Sequence, residues 1–154
     1  MARLSLDHRP AHPDGEGLAG EHTRRLVLVP VGAFDLRTAR AVEHAWRMPA
    51  ADRRAVHVAQ DESALQDLAE VWMAQAPRLP LHVVEDEDGV AASIRRVAQL
   101  ELASGFDEVV VVIGHLALTR RWHRFLHDRD AAAITRALSD VRGAVPTLLT
   151  VAVA

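Results

Sequence analysis

The chain has 154 residues, 49% hydrophobic and 25% charged, with a formal net charge of -3; that suits one globular domain with a proper core and gives no pull toward nucleic acid. It contains no Cys, which excludes disulfides, thiolate nucleophiles and Cys-based zinc or iron–sulfur sites. All 18 basic residues are Arg, which excludes Schiff-base chemistry and a Walker-type phosphate lysine.

Residues 1–22 are rich in Pro, Gly, His and charge without apolar periodicity, and are expected to form a mobile leader ahead of a domain over 23–154. Leu26 to Val31 is an apolar run closed by Gly32 and predicts a buried strand. Leu36 to Met48 carries Leu36, Ala39, Val42, Ala45 and Trp46 at helical spacing, with Asp35 as N-cap and Pro49 as stop. Arg54 to Ala59 predicts a second strand. Asp61 can cap a helix from Glu62 to about Ala76 that turns Leu65, Leu68, Ala69, Trp72 and Ala76 inward. A third strand over Pro80 to Glu85 precedes a helix from Val90 to about Ser104, ended by Gly105. Glu108 to Ile113 is the fourth strand. A loop dense in Arg, His and Trp follows from Gly114, and a last helix starts near Asp128 and ends before Gly143. Pro146 to Val153 is the fifth strand.

Strands alternating with single helices predict a three-layer α/β/α fold around a five-stranded, mainly parallel sheet. Ligands in such sheets sit outside the carboxyl ends of the strands, which points to the loops after strands one and four. No apolar run reaches the length of a membrane span and no secretory h-region is present, so a cytoplasmic location is expected.

Three further stretches carry a family resemblance. The exit of strand one reads LVPVGAFD (Leu28 to Asp35), strand two reads AVHVA (Ala55 to Ala59), and strand four reads VVVVIG (Val109 to Gly114). This succession resembles the universal stress protein family. With RRWHRFLHDRDA (Arg120 to Ala131) it is most similar to the cytosolic C-terminal domain of bacterial amino-acid and potassium permeases. The resemblance covers about Arg24 to Val153. It implies the sheet order 3-2-1-4-5, with strands one and four adjacent at the switch point. It also implies a homodimer through the C-terminal strand, and a membrane transporter as partner. The candidate ligand-binding positions in this chain are Val31, Gly32, Asp35, Val58, Gly114 and His115, with Arg120, Arg121, Trp122 and Arg124 standing where the family has glycines.

The chain departs from the ATP-binding stress proteins where their phosphates sit. Those proteins use Gly-x-x-Gly after strand four and then Gly followed by Ser or Thr, whose bare backbone N–H groups wrap phosphate. Here Gly114 is followed three residues on by Ala117, with no further Gly until Gly143, and Asp35 stands three residues beyond Gly32. ATP binding in the usual mode is therefore not expected. Arg120, Arg121 and Arg124 could instead grip an anionic nucleotide such as AMP or cyclic di-AMP, with Trp122 stacked on a base. A solvated arginine loop, with Trp122 and Phe125 plugging the vacated site, is the preferred reading of the same residues.

His123 and His127 are spaced i, i+4, with His115 as a third metal-ligand candidate, and a His-cluster metal-dependent enzyme is one alternative. No Glu lies between the two to serve as a base, so structural histidines are preferred. His57 reads as an interior imidazole, and Glu85, Asp86, Glu87 and Asp88 as a solvated turn. Ser63, Ser93, Ser104 and Ser139 lack a nucleophile elbow. The sequence thus predicts a non-enzymatic regulatory or ligand-sensing domain without a cofactor. A nucleotide-binding stress protein with an altered phosphate site is the other alternative.

Overall fold

The structure is a computed structural model that describes residues 23–118 and 129–153. The expected leader therefore lies outside the described residues. In chain order the elements are β1 (Arg25–Pro30), α1 (Leu36–Arg47), β2 (Asp52–Ala59), α2 (Glu62–Gln75), β3 (Leu81–Glu85), α3 (Val90–Ala103), β4 (Glu108–Leu118), α4 (Arg129–Leu138) and β5 (Ala144–Val153). The five strands form one sheet in the order β3-β2-β1-β4-β5, every pairing parallel. This is the expected α/β class and strand order.

The winding reverses between β3 and β4, which places the helices in two layers. α1 and α2 cover one face, where Val42, Ala45, Leu68 and Trp72 pack on Val27, Val29, Val110 and Val112. α3 and α4 cover the other, where Ile94, Ala98, Ile134 and Leu138 pack on Leu26, Leu28, Val109 and Val111. Alternate residues of β1 and β4 thus feed opposite cores, and both strands are buried on both faces, as their unbroken apolar runs require. Trp72 anchors the first core: its indole N–H donates to the Leu79 carbonyl at 2.8 Å and its ring meets Phe34 edge-on. Arg54 ties β2 to α3 through Glu101 at 2.5 Å and also holds Asp52 at 2.7 Å.

Several expectations are corrected. β4 continues past Ile113 to Leu118, paired with β5 through Leu118↔Val153, so Gly114 and Ala117 are strand residues and not the start of a loop. β5 begins at Ala144, two residues before the expected Pro146, which an edge position tolerates inside the strand. On α1 the buried stripe is Thr38, Ala41, Val42 and Ala45. Leu36 and Trp46 lie off that stripe and are exposed, with Arg53 stacked over the Trp46 ring.

Candidate functional site

Each of the four described helices follows a strand of the parallel sheet, so their N-termini lie at the carboxyl edge of the strands. There a cleft of about 280 Å³ opens, lined by Val31, Gly32 and Ala33 after β1, by Val56, His57 and Val58 of β2, and by Ile113 and Gly114 of β4. First-turn and capping residues complete it: Arg37 and Thr38 of α1, Asp61 before α2, Val90 of α3 and Asp130 of α4. It sits over the β1/β4 switch point, where a doubly wound sheet leaves room for a ligand. The helix N-termini turn backbone N–H groups toward the rim, while Asp61 and Asp130 set carboxylates at the same edge and Arg37 is paired with Asp35.

Asp35 organises the α1 side. Its Oδ1 accepts from the Thr38 backbone N–H at 3.1 Å, and its Oδ2 accepts from Arg37 Nε at 2.8 Å and Nη2 at 2.6 Å. Burial pushes this carboxyl up, but the Arg37 hydrogen bonds and charge, with the Thr38 N–H, outweigh it and hold the group below the ordinary carboxylate value. Asp35 thereby aims Arg37 along the rim. The Thr38 hydroxyl donates to the Ala33 carbonyl at 2.7 Å and fixes the β1–α1 turn. Asp61 caps α2 by accepting from Ser63 N–H at 3.0 Å. α3 starts at Gly89 with no side-chain cap on its first-turn amides.

His57 forms part of the floor. It is 5% exposed, and its Nδ1 lies 2.8 Å from the Val31 carbonyl oxygen. Val31 in turn donates its N–H to the Val56 carbonyl at 2.9 Å, so the β1 exit is stitched to β2 twice. Gly114 approaches from β4: a Cβ there would stand 2.6 Å from the Arg37 carbonyl oxygen. Its bare backbone admits the first turn of α1.

The positions expected from sequence divide into three groups. Val31, Gly32, Val58 and Gly114 line the cleft together, and Asp35 acts at one remove through Arg37. His115 lies on β4 one residue beyond Gly114, in register with Thr150. Arg120, Arg121, Trp122 and Arg124, with His123 and His127, lie outside the described residues. Sequence reading missed Arg37, Gln60 and Asp130 as cleft residues and gave Thr38 no role. The available signal was positional, because the first turn of any helix that follows a parallel strand stands at this rim.

Among the described residues, no group of three or more His, Asp or Glu side chains is placed to hold a metal ion. The acidic turn after β3 is engaged internally: Asp86 accepts from Gln60 and from the Gly89 N–H, and Arg96 pairs with Glu87 and Asp88. No helix among the described residues is long and apolar enough to cross a membrane. Residues 22–151 match the family model described as the KimA potassium transporter C-terminal domain. No curated protein matches the chain.

Proposed function

The chain belongs to the family of KimA potassium transporter C-terminal domains, and we propose that it is a non-enzymatic regulatory domain that senses a small anionic nucleotide in the β1/β4 cleft. On this reading it works at the cytoplasmic side of a potassium transporter, is related to the universal stress proteins, and pairs as a homodimer through β5. The observation that carries it is the cleft itself over the switch point, where Arg37, paired with Asp35, stands among the N-termini of the described helices. The lining has the makings of recognition, and no nucleophile with an adjacent base stands among the described lining residues.

ATP in the usual family mode is excluded from the proposal. The stretch that would cradle its phosphates is strand: Gly114 to Ala117 is paired in register with Leu149 to Ala152, so this backbone does not curl round an anion. A thermal-shift series with AMP, cyclic di-AMP and Mg-ATP tests the reading, since a ligand that binds only the native state raises its melting temperature. AMP or cyclic di-AMP is expected to raise it and Mg-ATP to leave it unchanged. A saturable micromolar isotherm with Mg-ATP, or no response to AMP and cyclic di-AMP, would overturn it.

A further inference from the structure

The sheet has a free edge at β3 as well as at β5. β3 ends the strand order, so one side of its backbone pairs with no strand among the described residues. Leu81 packs into the α1/α2 core and Val84 into the α3/α4 core, but Val83 between them is 46% exposed. A half-open valine in the middle of an edge strand is a place where an added segment buries apolar surface. The charge around it has one sign. Residues 60–88, which hold α2, β3 and their connections, carry eight carboxylates and one arginine, Arg78. Asp61, Asp86, Glu87 and Asp88 are engaged within the fold. Glu62, Asp67, Glu70 and Glu85 are exposed and meet no cation among the described residues. β5, at the opposite edge, contains no charged residue.

We propose that the β3 edge is a docking site for the chain's own first nine residues, MARLSLDHR. Laid along an edge, the alternation Leu4, Ser5, Leu6 turns both leucines to one face, beside Val83. Arg3 and Arg9, the only arginines before Thr23, then meet the open carboxylates. No other part of the leader fits. Residues 10–22 hold no arginine, carry Asp14, Glu16 and Glu21, and contain Pro10, Pro13 and three glycines, so they serve as the tether. The reach is sufficient. The register sets His82 level with Val56 and Pro30, which is six residues along the chain from Arg24. The docked tip is therefore about 25 Å from where the domain begins. A thirteen-residue coil spans about 20 Å on average and about 45 Å fully extended. Such a tether gives the tip an effective concentration on the order of millimolar, so a weak contact suffices. The proposal is independent of any ligand in the cleft, and it leaves β5 open to a second copy.

The chain has no Cys, so Ser5→Cys supplies a single thiol for a nitroxide, whose unpaired electron broadens nearby amide resonances. On the full chain, broadening is expected at His82 to Glu85 and not across Ala144 to Val153. Arg3→Glu with Arg9→Glu is expected to abolish it, and so is Leu4→Asp with Leu6→Asp. These substitutions lie ahead of the domain, so they test docking without disturbing its core. Broadening centred on β5, or at neither edge, overturns the proposal, as does a β3 signal that persists in either double variant. Mixing isotope-labelled chain that lacks the nitroxide with unlabelled chain that carries it tests for a neighbour's tip. The isotope-labelled β3 amides are expected to stay sharp there, and broadening equal to that within one chain would assign the tip to a second copy and overturn the proposal.

Discussion

The carbonyl oxygen of Arg37 lies 2.6 Å from the point where a Cβ on Gly114 would stand, so the first turn of α1 rests on the bare backbone of β4. Gly114 is extended and not left-handed, so its glycine is needed for space and not for a turn. Gly114→Ala must push backbone against backbone, and is expected to cost about 1–3 kcal/mol, the usual range for overpacking. Gly32→Ala is the control, because nothing lies within 4 Å of its Cβ position and its φ is not positive. Its effect should stay within about 0.5 kcal/mol. Urea midpoints of the two variants check this, and equal midpoints would refute the close approach.

The Asp35–Arg37 pair gives a pH dependence of known sign. The folded-state pKa of Asp35 is depressed, so its contribution is present above the unfolded value of 3.8 and is lost as pH falls through the lower folded value. Asp35→Asn keeps a capping oxygen and removes the charge. The variant is expected to be less stable than wild type at pH 7, by about 1 kcal/mol for a charge-assisted contact. The gap should narrow below about pH 4 as the wild-type carboxyl is protonated. Unfolding curves at pH 7, 5 and 3 read it directly, and a gap that widens in acid would reverse the argument.

Much of this architecture was readable from the chain because the readable signals were local. Asp35 and Asp61 precede helical periodicities and do cap α1 and α2. The run Val109 to Ile113 is apolar on both faces because both faces are covered. What was unreadable depended on partners distant in sequence. The segment Gly114 to Leu118 contains Gly and His and breaks the apolar run, so only the ladder to β5 makes it a strand. The state of the His57 ring is set by a carbonyl on Val31, which no pattern around His57 reveals. Arg37 looks like any solvated helix residue until the sheet edge places it over a cleft.

Arg120, Arg121 and Arg124 are the sequence's strongest anion-binding candidates. The triple replacement by Ala is expected to lower AMP affinity by about 1–3 kcal/mol for each phosphate contact removed. Arg37→Ala is expected to lower it as well, through the rim. Calorimetry on the two variants separates the contributions: loss in Arg37→Ala alone would confine the anion to the β1/β4 edge, and loss in the triple variant alone would assign it to Arg120, Arg121 and Arg124.

The C-terminal strand should mediate self-association. β5 is the edge of the sheet, and its outer side pairs with no strand among the described residues. β1 accompanies β4 only to Leu28↔Val111, whereas β4 and β5 stay paired to Leu118↔Val153, so their last part is a two-stranded ladder. Such a pair alone is marginal in water, and a third strand would complete it. Val145 and Leu148 of β5 are exposed, 40% and 51% respectively. A second copy laid antiparallel against β5 satisfies both the edge and a two-fold axis. Successive residues of a strand point their N–H groups to opposite sides, so of Thr150→Pro and Val151→Pro one removes a donor toward β4 and the other a donor toward the partner. Sedimentation across the micromolar range is expected to show a wild-type dimer that only the outward-facing Pro variant dissociates while keeping its fold. A wild type of monomer mass throughout would sink the dimer, and a dimer that survives both substitutions would place the interface away from β5.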